Sequence, residues 1–526
     1  MPHTARAGLA AALLGLVLGC LALGPALGLG FTLLHDMVFV PEPAFTRFTF
    51  GLAGGAARVV PSDAVVTALS QVLPAELVQK LILLGIFVLG CSGAALLLPS
   101  ESLGPRLVAG AFYVWNPYVA ERLLIGQWAL LLGYAGLPWV VRAVWSGRRV
   151  VLAMLPAAVG GFAAMTVTAI TALPVAAMTP TPAGPRWKAV ARVVAVLAAL
   201  SLPWLIPTAL RPQGLDGDPV GVAAFAARAD TPFGAVGSLL SLGGIWNANA
   251  VPPGYETTAG AVARLALTLA GIIAFLRGAV PYKRGLAVAA AAGLGVACAG
   301  VSGPGRVAFG WVVEVWGGFA VFRDAQQFVA PLALVAALGL GLLCESVARD
   351  RAWAGAMALV PVAVLPTMAW GALGTLAAVP YPQGWTAARQ IIERDREAGD
   401  VLVLPFEAYR RFPWNGMRPV LDPAQRFFAV PGRRVVSNDA VRVGDMVVKS
   451  EDPRAQAVER VLEGPSPDLA GAGFRYVIVD AGTDAERQRF GMWLRSARTL
   501  VDTGDLRLYR FDRPVIPDTR SDQRIY

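Results

Sequence analysis

Apolar runs of roughly twenty residues, the length a helix needs to cross a bilayer, recur along most of this 526-residue chain and leave it no soluble globular solution. They fall near 9–34, 77–98, 103–118, 128–145, 150–165, 166–182, 189–207, 259–277, 285–301, 327–344 and 352–378, which predicts about eleven spans. The chain is 56% hydrophobic and 15% charged, against about a quarter charged in soluble domains. A net charge of +10 could suggest nucleic acid. The Lys and Arg lie instead in short clusters between apolar runs or in the C-terminal part, and that distribution argues against such a partner.

The clusters set an orientation. With the N-terminus in the cytoplasm, the inner connections carry Arg106; Arg142, Arg148 and Arg149; Arg186, Lys188 and Arg192; Arg277, Lys283 and Arg284; and Arg349 and Arg351. Residues 35–76, 208–258, 302–326 and the tail after Tyr381 are then expected outside the cytoplasm. The run Leu9–Leu34 exceeds a signal-peptide core and more spans follow it, so it reads as an uncleaved first span.

Composition changes at Pro380-Tyr-Pro382, where charged residues become frequent. Val401–Leu404, Tyr476–Val479 and Leu506–Tyr509 have strand character, and Trp385–Glu397 and Asp484–Ser496 have helical apolar spacing. The expected architecture is a polytopic α-helical membrane domain over residues 1–379, followed by a soluble extracytoplasmic α/β domain over 380–526, a normal domain size.

Four polar features interrupt the apolar pattern. His35-Asp36 ends the first run, an ionisable pair where a membrane helix opens into water, and Asp36 could take a proton from an acceptor hydroxyl. A solvated helix end is the plainer reading. The segment Phe112–Trp128 sets Asn116, Glu121, Arg122 and Gln127 among aromatic residues and around Pro117 and Gly126. So many polar groups near a bilayer point to the wall of a covered cavity, expected to be the one Asp36 faces, where an interfacial aromatic belt would account only for the rings. Gly318–Phe328 places Arg323 and Asp324 before a span, where a guanidinium fork suits a phosphate or pairs with Glu314 or Asp324. The loop Leu239–Asn249 with Pro252–Glu256 is apolar enough to dip over a cavity, or Trp246 anchors it at the surface. Cys20, Cys91, Cys298 and Cys344 form no CxxC pair, and His3 and His35 are the only histidines, so neither a zinc site nor a disulfide framework is indicated. Walker A, HExxH and GxSxG motifs do not occur, which removes support from nucleotide-driven transport and the common hydrolases.

Taken together, His35-Asp-Met-Val-Phe-Val-Pro41, Trp115-Asn-Pro-Tyr with Glu121-Arg122 and Gly126-Gln-Trp128, Phe322-Arg-Asp-Ala-Gln-Gln-Phe328 and the C-terminal domain resemble the GT-C superfamily of polytopic membrane glycosyltransferases. The resemblance is narrower to the large actinobacterial members with an outer soluble domain. It implies transfer of a sugar from a polyprenyl-phosphate donor to a cell-envelope glycan or lipid acceptor, at the outer face of the plasma membrane. The family's first-loop acid falls on Asp36, with His35 beside it as a catalytic candidate. Asn116, Glu121, Arg122, Gln127, Arg323 and Asp324 become substrate-binding candidates. Many members carry two adjacent acids where this chain has His35-Asp36, and a divalent cation is the one cofactor left open. Two other classes fit the same residues: a transporter or flippase for a lipid-linked glycan, and a non-catalytic envelope-assembly scaffold. Ionisable groups near the outer face rather than at mid-membrane favour the enzyme over the transporter.

Overall fold

In a computed structural model of the chain, the structure describes residues 3–512 and 514, apart from 56, 58, 181–183, 211–216, 348–349 and 481–482. Arg349 of the last basic cluster thus lies outside the described residues. The chain divides into two compact units. One comprises Met1–Leu27, Lys80–Pro203 and Gly221–Ala377, and the other Gly28–Gln79, Trp204–Val220 and Ala378–Tyr526.

Among the helices before the C-terminal region are α1 (His3–Leu23), α2 (Ala75–Leu97), α3 (Leu103–Val114), α4 (Pro117–Leu124), α5 (Trp128–Ser146), α6 (Val150–Met178), α7 (Arg186–Ala209), α8 (Thr258–Arg277), α9 (Lys283–Val301), α10 (Gly303–Val315) and α11 (Ala330–Val347). Among the described residues eight helices are long and apolar enough to cross a membrane, or nine if the bent pair Ala352–Val364 and Pro366–Gly374 is one span. The expected eleven is therefore not the number found, for local reasons. The runs at 150–165 and 166–182 are one helix, α6, broken at Gly161, whose φ of 76° no helix contains. The run at 103–118 is cut to twelve residues because Asn116-Pro117 opens a new helix: Asn116 Oδ1 caps the Val119 N–H at 3.2 Å, and proline suits the first helical turn. The first helix stops at Leu23, before Gly24 at φ 43°.

Small residues let the first unit's helices approach closely. Gly271 of α8 and Gly339 of α11 face each other so tightly that a β-carbon on either meets the opposite backbone, the kind of contact by which helices associate in lipid.

The second unit contains a mixed five-stranded sheet. Its strands are β1 (Asp400–Leu404), β4 (Val435–Val436), β5 (Phe474–Asp480), β6 (Arg498–Asp502) and β7 (Leu506–Arg510), in the order β6-β7-β5-β1-β4. β5 runs parallel to β1 and antiparallel to β7. All seven residues of β5 are buried, as befits a central strand covered on both faces. Helices α12 (Gln383–Arg394), α13 (Pro453–Leu462) and α14 (Asp484–Trp493) accompany the sheet, and Val458 of α13 and Phe490 of α14 pack with Leu402, Val477 and Tyr509 in its core. A separate hairpin pairs β2 (Tyr409–Arg411) with β3 (Pro419–Leu421), rooted by Phe412 against Trp385 and Trp414.

The N-terminal piece of this unit is fastened to the C-terminal piece by backbone and by charge. Phe31–Thr32 pairs antiparallel with Ala378–Val379, and the Gln79 side chain clasps the Thr32 peptide from both sides, at 3.0 and 2.8 Å. Tyr381 donates to the Phe39 carbonyl, Arg426 pairs with Asp63 at 2.8 Å, and Arg389 pairs with Glu42 at 3.3 Å.

Candidate active site

Asp36 and His35 belong to the second unit, and the other candidate residues to the first. In the second unit, Leu34 and Met37 pair across a tight turn, and His35 within it bridges to Val420 of the β2–β3 hairpin. The His35 N–H donates to the Pro419 carbonyl at 2.7 Å, the Leu421 N–H donates to the His35 carbonyl at 2.8 Å, and the Asn415 amide reaches the Leu33 carbonyl at 3.2 Å. His35 sits at φ 46°, a left-handed conformation uncommon outside glycine and one that collects at functional sites. Half-buried Asp36 accepts a hydrogen bond from the Tyr409 hydroxyl of β2. The His35 ring meets the Tyr409 ring edge-on, with centroids 6.3 Å apart. Burial, and then the Arg411 guanidinium, push His35 down to about 4, so it is a neutral imidazole at ordinary pH.

The opposite face of β2 is structural. Arg410 is buried between two acids, bonded to Asp480 at the end of β5 and 3.4 Å from Asp422. One guanidinium serving two buried carboxylates leaves Asp480 above its ordinary range, chiefly through desolvation.

In the first unit, the break between α3 and α4 carries a buried polar network. Arg122 donates to both Asp324 oxygens, at 3.2 and 2.9 Å, and to Gln127 at 2.7 Å, while Gln127 donates to Asp324 at 3.0 Å. Three predicted residues therefore meet as one ion-pair cluster. Asn116 is engaged in the helix break: besides its cap, its amide donates to the Phe112 and Tyr113 carbonyls. Glu121 turns away from this cluster and accepts the Ile245 N–H at 3.1 Å, while Asp230 accepts the neighbouring Gly244 N–H. Burial and then Asp230 raise Glu121 well above the usual carboxylate range. Arg323 is buried, donating to the Ala320 carbonyl and lying over the Phe225 ring at 5.6 Å. Trp115, Tyr118 and Trp128 are buried inside the protein, so they are not an interfacial belt. Trp246 is a half-buried partner of Phe225.

Sequence reading did not single out Tyr409, Arg411 or Asp230. Asp230 carried no local signal, because its partner Glu121 lies on a different element. Tyr409 and Arg411 stood in a charged, aromatic stretch of the tail that any soluble domain could contain.

A divalent cation at Asp36 would need further oxygen or imidazole ligands beside it. The described surroundings offer a tyrosine hydroxyl, a buried imidazole and a guanidinium, and among the described residues no group of three His, Cys, Asp or Glu is placed to hold a metal. The residues do not fit a bound cation.

Among solved structures, the chain matches the cryo-EM structure of the arabinofuranosyltransferase AftD from Mycobacteria, in a mutant form, with a TM-score of 0.59 and 16% identity over 96% of this chain. The likeness is one of fold, which the chain shares with that structure. The chain spans 41% of the AftD chain. No family model and no curated protein sequence matches it.

Proposed function

We propose that this protein is a membrane glycosyltransferase that moves a sugar from a polyprenyl-phosphate donor to a cell-envelope glycan or lipid acceptor. Asp36 acts as the general base. The observation that carries the reading is the hydrogen bond from Tyr409 to Asp36, which orients a half-buried carboxylate within a fold shared with an arabinofuranosyltransferase. A base must be held in reach of the hydroxyl it deprotonates. The Asp36 carboxylate takes the acceptor O–H proton, the acceptor oxygen bonds to the anomeric carbon, and the bond from that carbon to the phosphate oxygen breaks with its electron pair going to the phosphate. Neutral His35 packs the carboxylate's partner and adds no charge of its own.

In this reading Arg122, Gln127, Asp324 and Glu121 form a polar substrate-binding wall, which Asn116 supports by holding the helix break, and Arg323 is a further substrate-binding residue of the first unit. Residues 380–526 are extracytoplasmic, so transfer takes place on the outer face. The test is a transfer assay with purified full-length protein and synthetic polyprenyl-phosphate sugars. Transfer by wild type that is lost in Asp36→Asn supports the reading. Near-normal transfer by Asp36→Asn removes the base, and wild type inactive with every lipid-linked donor removes the enzyme.

A further inference from the structure

β2 is only three residues long, and strand alternation divides them between two faces. Arg410 points inward to Asp422 and Asp480. Tyr409 points the other way and reaches Asp36. Arg411 is two residues on, so it shares the face of Tyr409, and its partner across the hairpin is Pro419, the residue whose carbonyl receives the His35 N–H. The electrostatic pressure of Arg411 on His35 agrees with that placement.

The surroundings of Arg411 differ from those of six other arginines in this unit. Arg389, Arg410, Arg426, Arg434, Arg454 and Arg475 each pair with a carboxylate. Arg411 is exposed and makes no ion pair among the described residues; one Nη donates to the Met417 carbonyl at 2.9 Å. That bond comes from the turn, where Met417 has φ 57° after left-handed Gly416. It fixes the guanidinium at one corner and leaves the rest of its donor fork directed elsewhere. Arg418 adds a second guanidinium at the same turn, half-buried and tied to Asn415 at 2.9 Å.

We propose that Arg411 is the anion clamp of the Asp36 site and holds the phosphate that leaves the donor. The proposal rests on the transferase reading above and names a cation in the same unit as the base. Its chemistry follows from the charge balance of the step. The donor is a phosphodiester with one negative charge. When the bond to the anomeric carbon breaks, the phosphate keeps the electron pair and becomes a monoester with a second developing charge, while the acceptor proton passes to Asp36. A guanidinium at that phosphate therefore binds the transition state and the lipid-phosphate product more tightly than the donor.

The experiment measures binding of farnesyl phosphate, a short polyprenyl phosphate, to purified full-length protein in detergent, beside steady-state transfer. Arg411→Ala is expected to weaken farnesyl phosphate binding by roughly 10- to 100-fold, as expected for a lost charged hydrogen bond, and to lower kcat more than it raises KM for the donor. Arg411→Lys should restore part of the loss, because it keeps the charge but not the fork. Unchanged farnesyl phosphate binding by folded Arg411→Ala overturns the proposal, as does loss confined to an Arg323→Ala comparator. Wild type that binds no farnesyl phosphate overturns the donor class, and the clamp with it.

Discussion

His35 turns the backbone into the left-handed region, and the next side chain, Asp36, then meets Tyr409. Asp36→Asn should lower transfer by about 100- to 10,000-fold with the thermal midpoint preserved, and Tyr409→Phe should cost about tenfold by loosening the carboxylate. His35 also makes stability depend on pH. Its folded value of about 4 lies below the unfolded value of about 6.5, so between these the unfolded chain binds more protons and stability falls as pH drops from about 6.5 towards 4. In detergent, wild type should lose thermal midpoint over that window more steeply than His35→Asn, a residue that tolerates the same φ. Equal slopes would mean that the imidazole is not buried neutral. At this scale Asp36 was legible in the sequence because a carboxylate ending an apolar run stands out. Its partner lies 373 residues away, and no local pattern reveals such a distance.

α4 is eight residues long, too short to be stable alone, and depends on what it holds. Its Arg122 is buried while Asp324 is partly open, so Asp324→Ala leaves a buried guanidinium without its carboxylate. That change should destabilise the first unit by about 3 kcal/mol, read as a lowered unfolding midpoint in detergent. Gly339→Leu should cost at least about 2 kcal/mol, since a side chain there enters the α8 backbone. Long elements were legible: the strand signals at Val401–Leu404, Tyr476–Val479 and Leu506–Tyr509 lie inside β1, β5 and β7. The miscounted spans arose where one helix, α6, read as two runs and where the run at 103–118 continued past the break at Asn116-Pro117, because hydropathy records apolar character and is insensitive to where a helix starts and stops.

Across the whole molecule, composition alone identified a multi-pass membrane protein, and the fold is one it shares with the AftD structure. What composition does not carry is that the second unit draws on three separate pieces of chain, since each piece reads locally as loop or tail. The proposed topology predicts that a reporter active only in the cytoplasm is silent when fused after Tyr381, and an active one would invert the chain. The tie between Tyr409 and Asp36 also has a meaning in time. At synthesis rates of about 5–20 residues per second, the carboxylate emerges on the order of 20–75 s before the tyrosine that steadies it, and in that interval residues 33–37 have no hairpin to lie against. A polypeptide released early, anywhere short of position 409, would present the acid without its partner, so the site comes into being only once both distant stretches have been made.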